Sequence, residues 1–202
     1  MKSARKLIEY RDGDISVDYL KDPKAILLQQ CNCVALKIHN NPKSLSYNLA
    51  KTMPYSNPYQ YRSPYHKYRN LARIEDRPKP GSIQIMNHSN NEGPFVCCLF
   101  AQYRMGNSFK SATMYYMKYD TDEEYKNTPD DKCSRLMYFT DCLDVLAEKL
   151  NNEFDEIIDK VIIPKYIGCG MAGGEWFEYE QKIKLFSQKI DKQVIIVNYK
   201  KI

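Results

Sequence analysis

The sequence predicts an α/β fold, and three features of its apolar pattern support this. Short runs rich in β-branched residues, such as Val161–Ile163, are typical of buried strands. Longer segments carry apolar residues three or four positions apart, which is the spacing of an amphipathic helix. Four glycines occur within the seven residues from Gly168 to Gly174, between the last such strand and the last long helix. A strand that leads through a glycine loop into a helix is typical of α/β proteins.

Six strands and three helices are predicted in chain order. The predicted strands are Lys6–Tyr10, Ala25–Cys33, Ser82–Met86, Phe95–Tyr103, Val161–Ile163 and Val194–Val197. The predicted helices are Leu45–Met53, Arg135–Leu150 and Trp176–Ile190. Residues 104–132 are expected to be mostly irregular. With 202 residues, the chain is expected to form one domain spanning residues 1–202.

The composition indicates a globular protein, with 43% hydrophobic and 27% charged residues. The seven cysteines include no C-x-x-C pair and the three histidines do not cluster, so we expect neither a metal site nor a disulfide framework. Reduced thiols and the lack of an apolar leader favour a cytoplasmic or nuclear protein that is not secreted. No run of about 18 apolar residues suggests a membrane span. We expect no cofactor and a monomer.

The glycine loop from Gly168 to Gly174 has three interpretations. It matches the G-x-G-x-x-G dinucleotide fingerprint, but that motif begins a βαβ unit and is followed by an acidic residue at a later strand end. Here the only later strand ends in Asn198-Tyr199, and no Lys-Ser/Thr follows the glycines, so a P-loop is excluded as well. The loop is then either a turn without a ligand or a phosphate loop. In the second case its N–H groups would bind the anion at a helix N-terminus.

Residues 54–80 form a long segment rich in proline, tyrosine and arginine. The segment holds five of the ten prolines and five tyrosines, and this density of X-Pro steps disfavours regular structure. Aromatic and arginine side chains would suit a single-stranded nucleic-acid surface, whereas a flap packed on its own domain is the interpretation we favour. The first 80 residues carry 15 Lys+Arg against 7 Asp+Glu, which fits either an anionic ligand or a solvated basic face.

Four short motifs resemble those of macro domains and occur in the order typical of that family. Gly13–Ser16 (Gly-Asp-Ile-Ser) resembles a Gly-Asp-Ile-Thr element, and Gln29–Cys33 (Gln-Gln-Cys-Asn-Cys) resembles the strand end that carries a ribose-contacting asparagine. Pro80–Ile83 is similar to a Pro-Gly-Thr-Ile strand entry. Gly168–Trp176 is close to the Gly-Cys-Gly-Leu-Ala-Gly-Gly-Asp-Trp phosphate loop of the ADP-ribose-processing branch. Together the motifs span nearly the whole chain.

This resemblance implies a three-layer α/β/α fold with a mixed central sheet, and ADP-ribose as the ligand. Asp14 would accept a hydrogen bond from the adenine amino group, and Ile15 would offer its backbone N–H. Asn32 would contact the distal ribose. The diphosphate would be bound by the backbone N–H groups of six loop residues, which are Gly168, Cys169, Gly170, Met171, Ala172 and Gly173.

Each of these residues also has a purely structural interpretation. Asp14 would then cap a turn, and Asn32 would satisfy a loop at the end of its strand. Trp176 is expected to anchor the packing of the last helix, not to stack on adenine.

The catalytic residues are harder to carry over, because a glycine-rich loop that follows the asparagine in many macro domains is missing here. In its place Val34–Leu45 contains His39, which either reaches the distal ribose or a terminal phosphate, or lies at the surface. Glu175 lies where the last helix begins. There it would attack the anomeric carbon, activate a water, or simply stabilise the helix start. The expected catalytic residues are therefore Glu175, Asn32 and His39.

The resemblance implies a protein that binds ADP-ribose and hydrolyses an ADP-ribose derivative. The candidate substrates are ADP-ribosyl-protein, ADP-ribosyl-nucleic acid and ADP-ribose-1''-phosphate, which would make the chain an ADP-ribosyl hydrolase or a phosphatase. The alternative is a non-enzymatic reader that binds ADP-ribosylated partners. Nucleic acid is expected as a partner only when it carries ADP-ribose, and no membrane is expected as a partner.

Overall fold

A six-stranded mixed sheet forms the centre of the protein. The structure, a computed structural model, describes residues 8–65, 70–107 and 123–200. The strand order is β1-β6-β5-β2-β4-β3. All neighbouring pairs are parallel except β3 and β4, which are antiparallel. The strands are β1 Ile8–Gly13, β2 Ala25–Asn32, β3 Ile83–Met86, β4 Phe95–Gln102, β5 Lys160–Pro164 and β6 Gln193–Tyr199.

Helices cover both faces of this sheet. They are α1 Ile15–Asp18, α2 Leu45–Thr52, α3 Glu123–Asn127, α4 Lys132–Asn152 and α5 Trp176–Lys189, with short 3₁₀ turns at Pro54–Ser56 and Ile74–Asp76. One apolar core lies between the sheet and the pair α4 and α5. A second core lies on the opposite face, where α1, α2 and α3 contribute side chains. The three-layer α/β/α arrangement and the mixed sheet predicted from the sequence are confirmed.

The inner strands have side chains buried on both faces, which explains their unbroken apolar runs. Residues 25–29 of β2 are all buried, and so are residues 96–101 of β4. Alternate residues of each strand enter the two cores, because successive side chains of a strand point to opposite faces. Parallel strands covered on both sides by helices require this composition.

Several element boundaries differ from the sequence expectations. Helix α4 begins at Lys132, three residues earlier than predicted, because Asp131 caps it by accepting a hydrogen bond from the Ser134 N–H at 2.8 Å. The short helices α1 and α3 lie where only turns and irregular chain were predicted. The first strand extends to Gly13, beyond the predicted end at Tyr10, and the start of that prediction at Lys6 lies outside the described residues.

The described parts of the segment 54–80 pack on the second core. Tyr59, Leu71 and Ala72 are buried. Arg62 donates through Nη1 to the carbonyl oxygens of Cys33 and Ala35, both at 2.7 Å, and thereby ties the segment to the chain that follows β2. This arrangement is the one that the flap interpretation requires. Residues 66–69 of the segment, which include Tyr68 and Arg69, lie outside the described residues.

No helix in the described ranges is long and apolar enough to cross a bilayer. The seven cysteines are free thiols, and five of them are buried. Within the same ranges, no group of three or more His, Cys, Asp or Glu side chains is arranged to hold a metal ion.

Candidate functional site

The parallel strands bring the predicted site residues to one edge of the sheet. Strand β1 ends at Gly13 and is followed by Asp14, whereas β5 ends at Pro164 and leads into the glycine loop. Strand β2 ends at Asn32. Because the strand order is β1-β6-β5-β2, these three groups follow one another along the edge. Three strand spacings separate the first from the last, or about 14 Å.

Asp14 caps the short helix α1 at the first of these positions. Its Oδ1 accepts hydrogen bonds from the N–H and the hydroxyl of Ser16, at 2.9 and 2.6 Å. The other carboxylate oxygen has no hydrogen-bond partner among the described residues, and neither does the N–H of Ile15. The structure therefore shows the capping role and leaves one acceptor and one donor side by side for a ligand.

Tyr199 is an aromatic residue beside Asp14 that the sequence analysis did not assign to the site. It is the last residue of β6 and pairs with Gly13 in the register of β1 and β6. Its side chain is 62% exposed. Its sequence signal was weak, because only the strand order shows that the ends of β1 and β6 are neighbours.

The glycine loop is a compact turn whose shape depends on backbone conformations that favour glycine. Gly168 and Gly173 have φ angles of +74° and +79°. The N–H of Gly173 donates to the carbonyl of Gly170 at 3.1 Å, and the N–H of Gly174 donates to that of Gly168 at 2.9 Å. These bonds close the turn on itself just before helix α5.

Of the six N–H groups that were predicted to bind the diphosphate, two are already hydrogen-bonded to backbone carbonyls. Cys169 donates to the carbonyl of Tyr166 at 2.9 Å, and Gly173 is engaged as described above. The other four N–H groups have no acceptor within the described part of the chain, and they belong to Gly168, Gly170, Met171 and Ala172. Three of them are consecutive, an arrangement that forms an anion-binding concavity when the groups point the same way.

Gly168 lies on the side of the loop that packs against the protein interior, where there is no room for a side chain. A Cβ atom at this position would lie 2.2 Å from Cε1 of Tyr179 and 2.7 Å from Oε1 of Gln30. Burial, with a smaller contribution from nearby Cys169, raises the pKa of the Tyr179 phenol to about 12. A Cβ at Gly170, in contrast, would meet no atom within 4 Å. Gly168 is thus required by packing, and Gly170 lies on the open side of the loop.

Asn32 is held at the end of β2 by its own side chain. Its Oδ1 accepts a hydrogen bond from the Ala35 N–H at 2.7 Å, and its Nδ2 lies 3.4 Å from the hydroxyl of Tyr59. The side chain is half-buried and shapes the turn that follows the strand. This is the structural role predicted as an alternative, and it leaves one of the two Nδ2 hydrogens for a ligand.

The chain after β2 contacts the glycine loop through Asn41, two residues after His39. Nδ2 of Asn41 lies 4.0 Å from the sulfur of Met171, which joins the two loops. His39 is exposed, and its carbonyl accepts the N–H of Asn41 at 2.8 Å. His39 thus precedes the Asn41–Met171 contact by two residues in the chain, and no contact of its side chain with the glycine loop is found among the described residues.

Glu175 lies at the start of α5 but its carboxylate is already paired. Nζ of Lys132, at the start of α4, is 2.6 Å from Oε1 of Glu175. This hydrogen bond, reinforced by the charge of Lys132, lowers the pKa of the Glu175 carboxyl below its usual value. The Glu175 side chain makes no capping hydrogen bond to its own helix, although its carbonyl accepts the N–H groups of Glu178 and Tyr179. Within the described residues, no contact joins Glu175 to Asn32 or His39.

Two basic residues near the loop were not singled out from the sequence. Lys132 pairs with Glu175, and the buried Arg135 donates to the carbonyl of Ala172 at 2.8 Å. Both residues lie in the first turn of α4, where the sequence pattern indicated only a helix start. The sequence offered no signal for their contacts, because the partners lie about 40 residues away.

A separate cavity of about 350 Å³ lies beside β3 and β4. Its lining includes Tyr61, Arg62, Asp76 and Gln84. Its four charged lining residues are Arg62, Arg77, Glu75 and Asp76, so the charges balance and do not favour an anion. The glycine loop, and not this cavity, is therefore the candidate functional site.

Comparison with solved structures identifies the fold. The macrodomain of Mycobacterium tuberculosis DarG is similar over 94% of this chain and 96% of its own length, with 14% identity and a TM-score of 0.52. The alphavirus P23pro-zbd is similar over 96% of this chain, with 13% identity and a TM-score of 0.56. The present chain spans 22% of that viral chain. No protein-family model matches the sequence, and no curated protein matches it.

The chain therefore has the macrodomain fold, as its four motifs predicted. At identities of 13–14% the similarity concerns the fold alone, so the function is argued from the geometry of the site.

Proposed function

We propose that the carboxyl edge of the sheet binds ADP-ribose, with adenine at Asp14, the diphosphate on the glycine loop and the distal ribose at Asn32. The observation that carries this proposal is the order of these groups along the edge, which follows the strand order β1-β6-β5-β2. The order is that of base, diphosphate and distal ribose in the ligand. The distance of about 14 Å from β1 to β2 suits an extended dinucleotide-like molecule.

The base end of the edge offers a hydrogen-bonding pair that suits adenine. Asp14 provides an acceptor, and the adjacent Ile15 N–H is a donor. Adenine presents an amino donor beside a ring-nitrogen acceptor, whereas guanine presents a carbonyl acceptor beside an N–H donor. The exposed ring of Tyr199 provides an apolar face against which the base can stack.

The glycine loop supplies what a diphosphate requires. The unpartnered N–H groups of Gly170, Met171 and Ala172 are donors that do not have to break protein bonds before they bind oxygen. Helix α5 begins directly after the loop and runs for 14 residues, so its N-terminal partial charge adds to the attraction for an anion. Two protein groups are available for adenine and three for the diphosphate.

We further propose that the bound ligand is hydrolysed at C1'' of the distal ribose. Water would form the new bond to C1'', and the leaving group on that carbon would depart with a proton. Asn32 is able to orient the water, but a neutral amide does not accept its proton. The base is therefore Glu175, His39 or the diphosphate of the substrate itself.

The test is incubation of the protein with three substrates: mono-ADP-ribosylated protein, ADP-ribosylated oligonucleotide and ADP-ribose-1''-phosphate. We expect release of ADP-ribose or phosphate from at least one of them. A protein that binds ADP-ribose but releases nothing from any of the three is a reader of ADP-ribosylated partners. A protein that neither binds nor cleaves contradicts the whole proposal.

A further inference from the structure

A buried ion pair lies against the glycine loop. Arg135 is 1% exposed, and its guanidinium contacts Asp130 through two hydrogen bonds of 2.6 and 3.0 Å. The side chain of Asp130 is also 1% exposed. Removing two charges from water costs about as much as their attraction returns, so a buried pair of this kind contributes little net stability. The contacts of the pair point to another role.

Arg135 joins the glycine loop to the chain that follows β4. Its Nη1 donates to the carbonyl of Ala172 at 2.8 Å and to that of Gly106 at 2.7 Å. Its Nη2 also lies 3.5 Å from the carbonyl of Arg104. The five N–H donors of a guanidinium are thus all directed at acceptors, namely three backbone carbonyls and two carboxylate oxygens.

Asp130 extends the same connection into the sheet. Its two carboxylate oxygens accept the backbone N–H groups of Tyr103 and Arg104, at 2.7 and 2.9 Å. These residues follow directly after β4. The pair Arg135–Asp130 therefore fixes the position of the glycine loop relative to the end of a central strand.

The bond to Ala172 bears directly on the proposed diphosphate site. It holds the Ala172 carbonyl towards the protein interior, next to the turn that the Gly173 N–H closes on Gly170. In this turn the N–H groups of Gly170, Met171 and Ala172 have no acceptor among the residues that the structure describes. A loop fixed in this shape binds an anion without first losing conformational freedom.

We propose that Arg135 is a positioning residue that preorganises the glycine loop for its anionic ligand. The inference rests on the proposed function for the identity of that ligand, ADP-ribose, but the effect on the loop does not depend on the ligand. Because Asp130 neutralises the charge of Arg135, the contribution is one of geometry and not of long-range attraction. The donors of Arg135 are already occupied by protein acceptors, so it does not contact the diphosphate itself.

The test compares Arg135→Lys with a matched control, Leu146→Ala. A lysine keeps a positive charge near Asp130. Its single ammonium group, however, does not reach the carboxylate and the carbonyls of both Ala172 and Gly106 at once. Leu146 is a buried residue of the same helix, 11 positions further on and thus roughly 16 Å away along the axis. Its truncation lowers the stability of the same core and leaves the loop contacts intact.

Two quantities are measured at a temperature at which circular dichroism shows both variants to be folded. In Arg135→Lys, amide hydrogen exchange at Gly173 and Gly174 should accelerate roughly tenfold or more, and the dissociation constant for ADP-ribose should rise by about the same factor. In Leu146→Ala, both quantities should stay close to the wild-type values although the melting temperature falls. The proposal is overturned if Arg135→Lys changes neither quantity, or if Leu146→Ala changes both to the same extent.

The remaining outcomes are distinguishable. If the wild-type protein does not bind ADP-ribose, the proposed function fails, while hydrogen exchange in the loop still decides the role of Arg135. If Arg135→Lys does not fold, nuclear magnetic resonance of the wild-type protein decides. The Arg135 side-chain N–H signals should then be individually resolved, with through-space contacts to Ala172 and Gly106. A single averaged signal without those contacts would overturn the proposal.

Discussion

At the scale of one residue, the variant Asp14→Asn tests base recognition with little structural change. An asparagine keeps an oxygen that accepts from Ser16, so the cap of α1 and the melting temperature should be retained. Its amide N–H₂ replaces the free carboxylate oxygen and would face the adenine amino group, donor against donor. ADP-ribose affinity in calorimetry should fall by about 1–3 kcal/mol.

The matched ligand for this test carries hypoxanthine in place of adenine. Hypoxanthine has a carbonyl acceptor where adenine has its amino group. Asp14→Asn should therefore lose less affinity for the hypoxanthine ligand than for ADP-ribose. Equal losses for both ligands would show that Asp14 does not read the base.

Gly170 provides the sharpest single substitution in the glycine loop. Its Cβ would enter open space, so Gly170→Asp should fold with a melting temperature within a few degrees of the wild type. The added carboxylate would lie at the loop face where the diphosphate is proposed to bind, and like charges there repel. Calorimetry should detect no ADP-ribose binding. Wild-type affinity in this variant would place the diphosphate elsewhere.

Gly168→Ala is the structural counterpart of that experiment. Gly168 has a φ of +74°, and its Cβ would overlap the ring of Tyr179 at 2.2 Å. The left-handed conformation alone costs a non-glycine residue about 1–2 kcal/mol, and the overlap adds to this cost. Thermal unfolding should show a lower melting temperature for Gly168→Ala than for Gly170→Asp. The reverse order would contradict the packing described for the loop.

At the scale of elements, the ion pair between the starts of α4 and α5 determines how Glu175 would act. Lys132 holds the pKa of Glu175 below its usual value, so the carboxylate stays ionised in mild acid. A base must be ionised to accept a proton, and turnover therefore falls only when the pH drops below that lowered pKa. If Glu175 is the base, the rate should stay constant between about pH 8 and pH 5.

Two variants check this assignment. Glu175→Gln should keep ADP-ribose affinity within about threefold and reduce turnover by roughly 10²-fold or more. Lys132→Met removes the partner that lowers the pKa of Glu175, so the acidic decline in rate should move to higher pH. Wild-type turnover in Glu175→Gln, or a decline near neutral pH in the wild type, would exclude Glu175 as the base.

The segment 54–80 gives a prediction about nucleic acid. Arg62 is occupied with the carbonyls of Cys33 and Ala35, and its guanidinium also lies 4.6 Å from the ring of Tyr59. Of the aromatic side chains in its described part, Tyr61 is the most exposed, at 88%. Titration with single-stranded oligonucleotides should show only weak and strongly salt-dependent association. Sub-micromolar affinity in physiological salt that is lost in Tyr61→Ala would contradict this expectation.

At the scale of the whole molecule, the sequence predicted the layers of the fold. Periodicity sufficed for the strands and for the long helices α4 and α5, because each buries an apolar face of regular spacing. The four motifs then placed Asp14, Asn32 and the glycine loop in one fold. Their arrangement along one edge follows from strand order, which was not read from the sequence.

The contacts that define the site were less accessible from the sequence. The Lys132–Glu175 pair and the bond from Arg135 to Ala172 join residues about 40 positions apart, and no local pattern encodes such pairs. The proximity of Tyr199 to Asp14 depends on the pairing of the first and last strands. Which N–H groups of the loop are already hydrogen-bonded and which have no acceptor among the described residues depends on the turn geometry at Gly168 and Gly173.

The central claim is that ADP-ribose lies along the carboxyl edge of the sheet from β1 to β2, and a nuclear magnetic resonance titration of the labelled protein with ADP-ribose tests it most directly. The backbone N–H signals of Ile15, Gly170, Met171 and Ala172 should shift together with a single dissociation constant, and the Asn32 side-chain amide should shift with them. Signals of Glu75 and Gln84, which line the separate cavity, should stay unchanged. Shifts confined to that cavity, or no shifts at millimolar ligand, would contradict the claim.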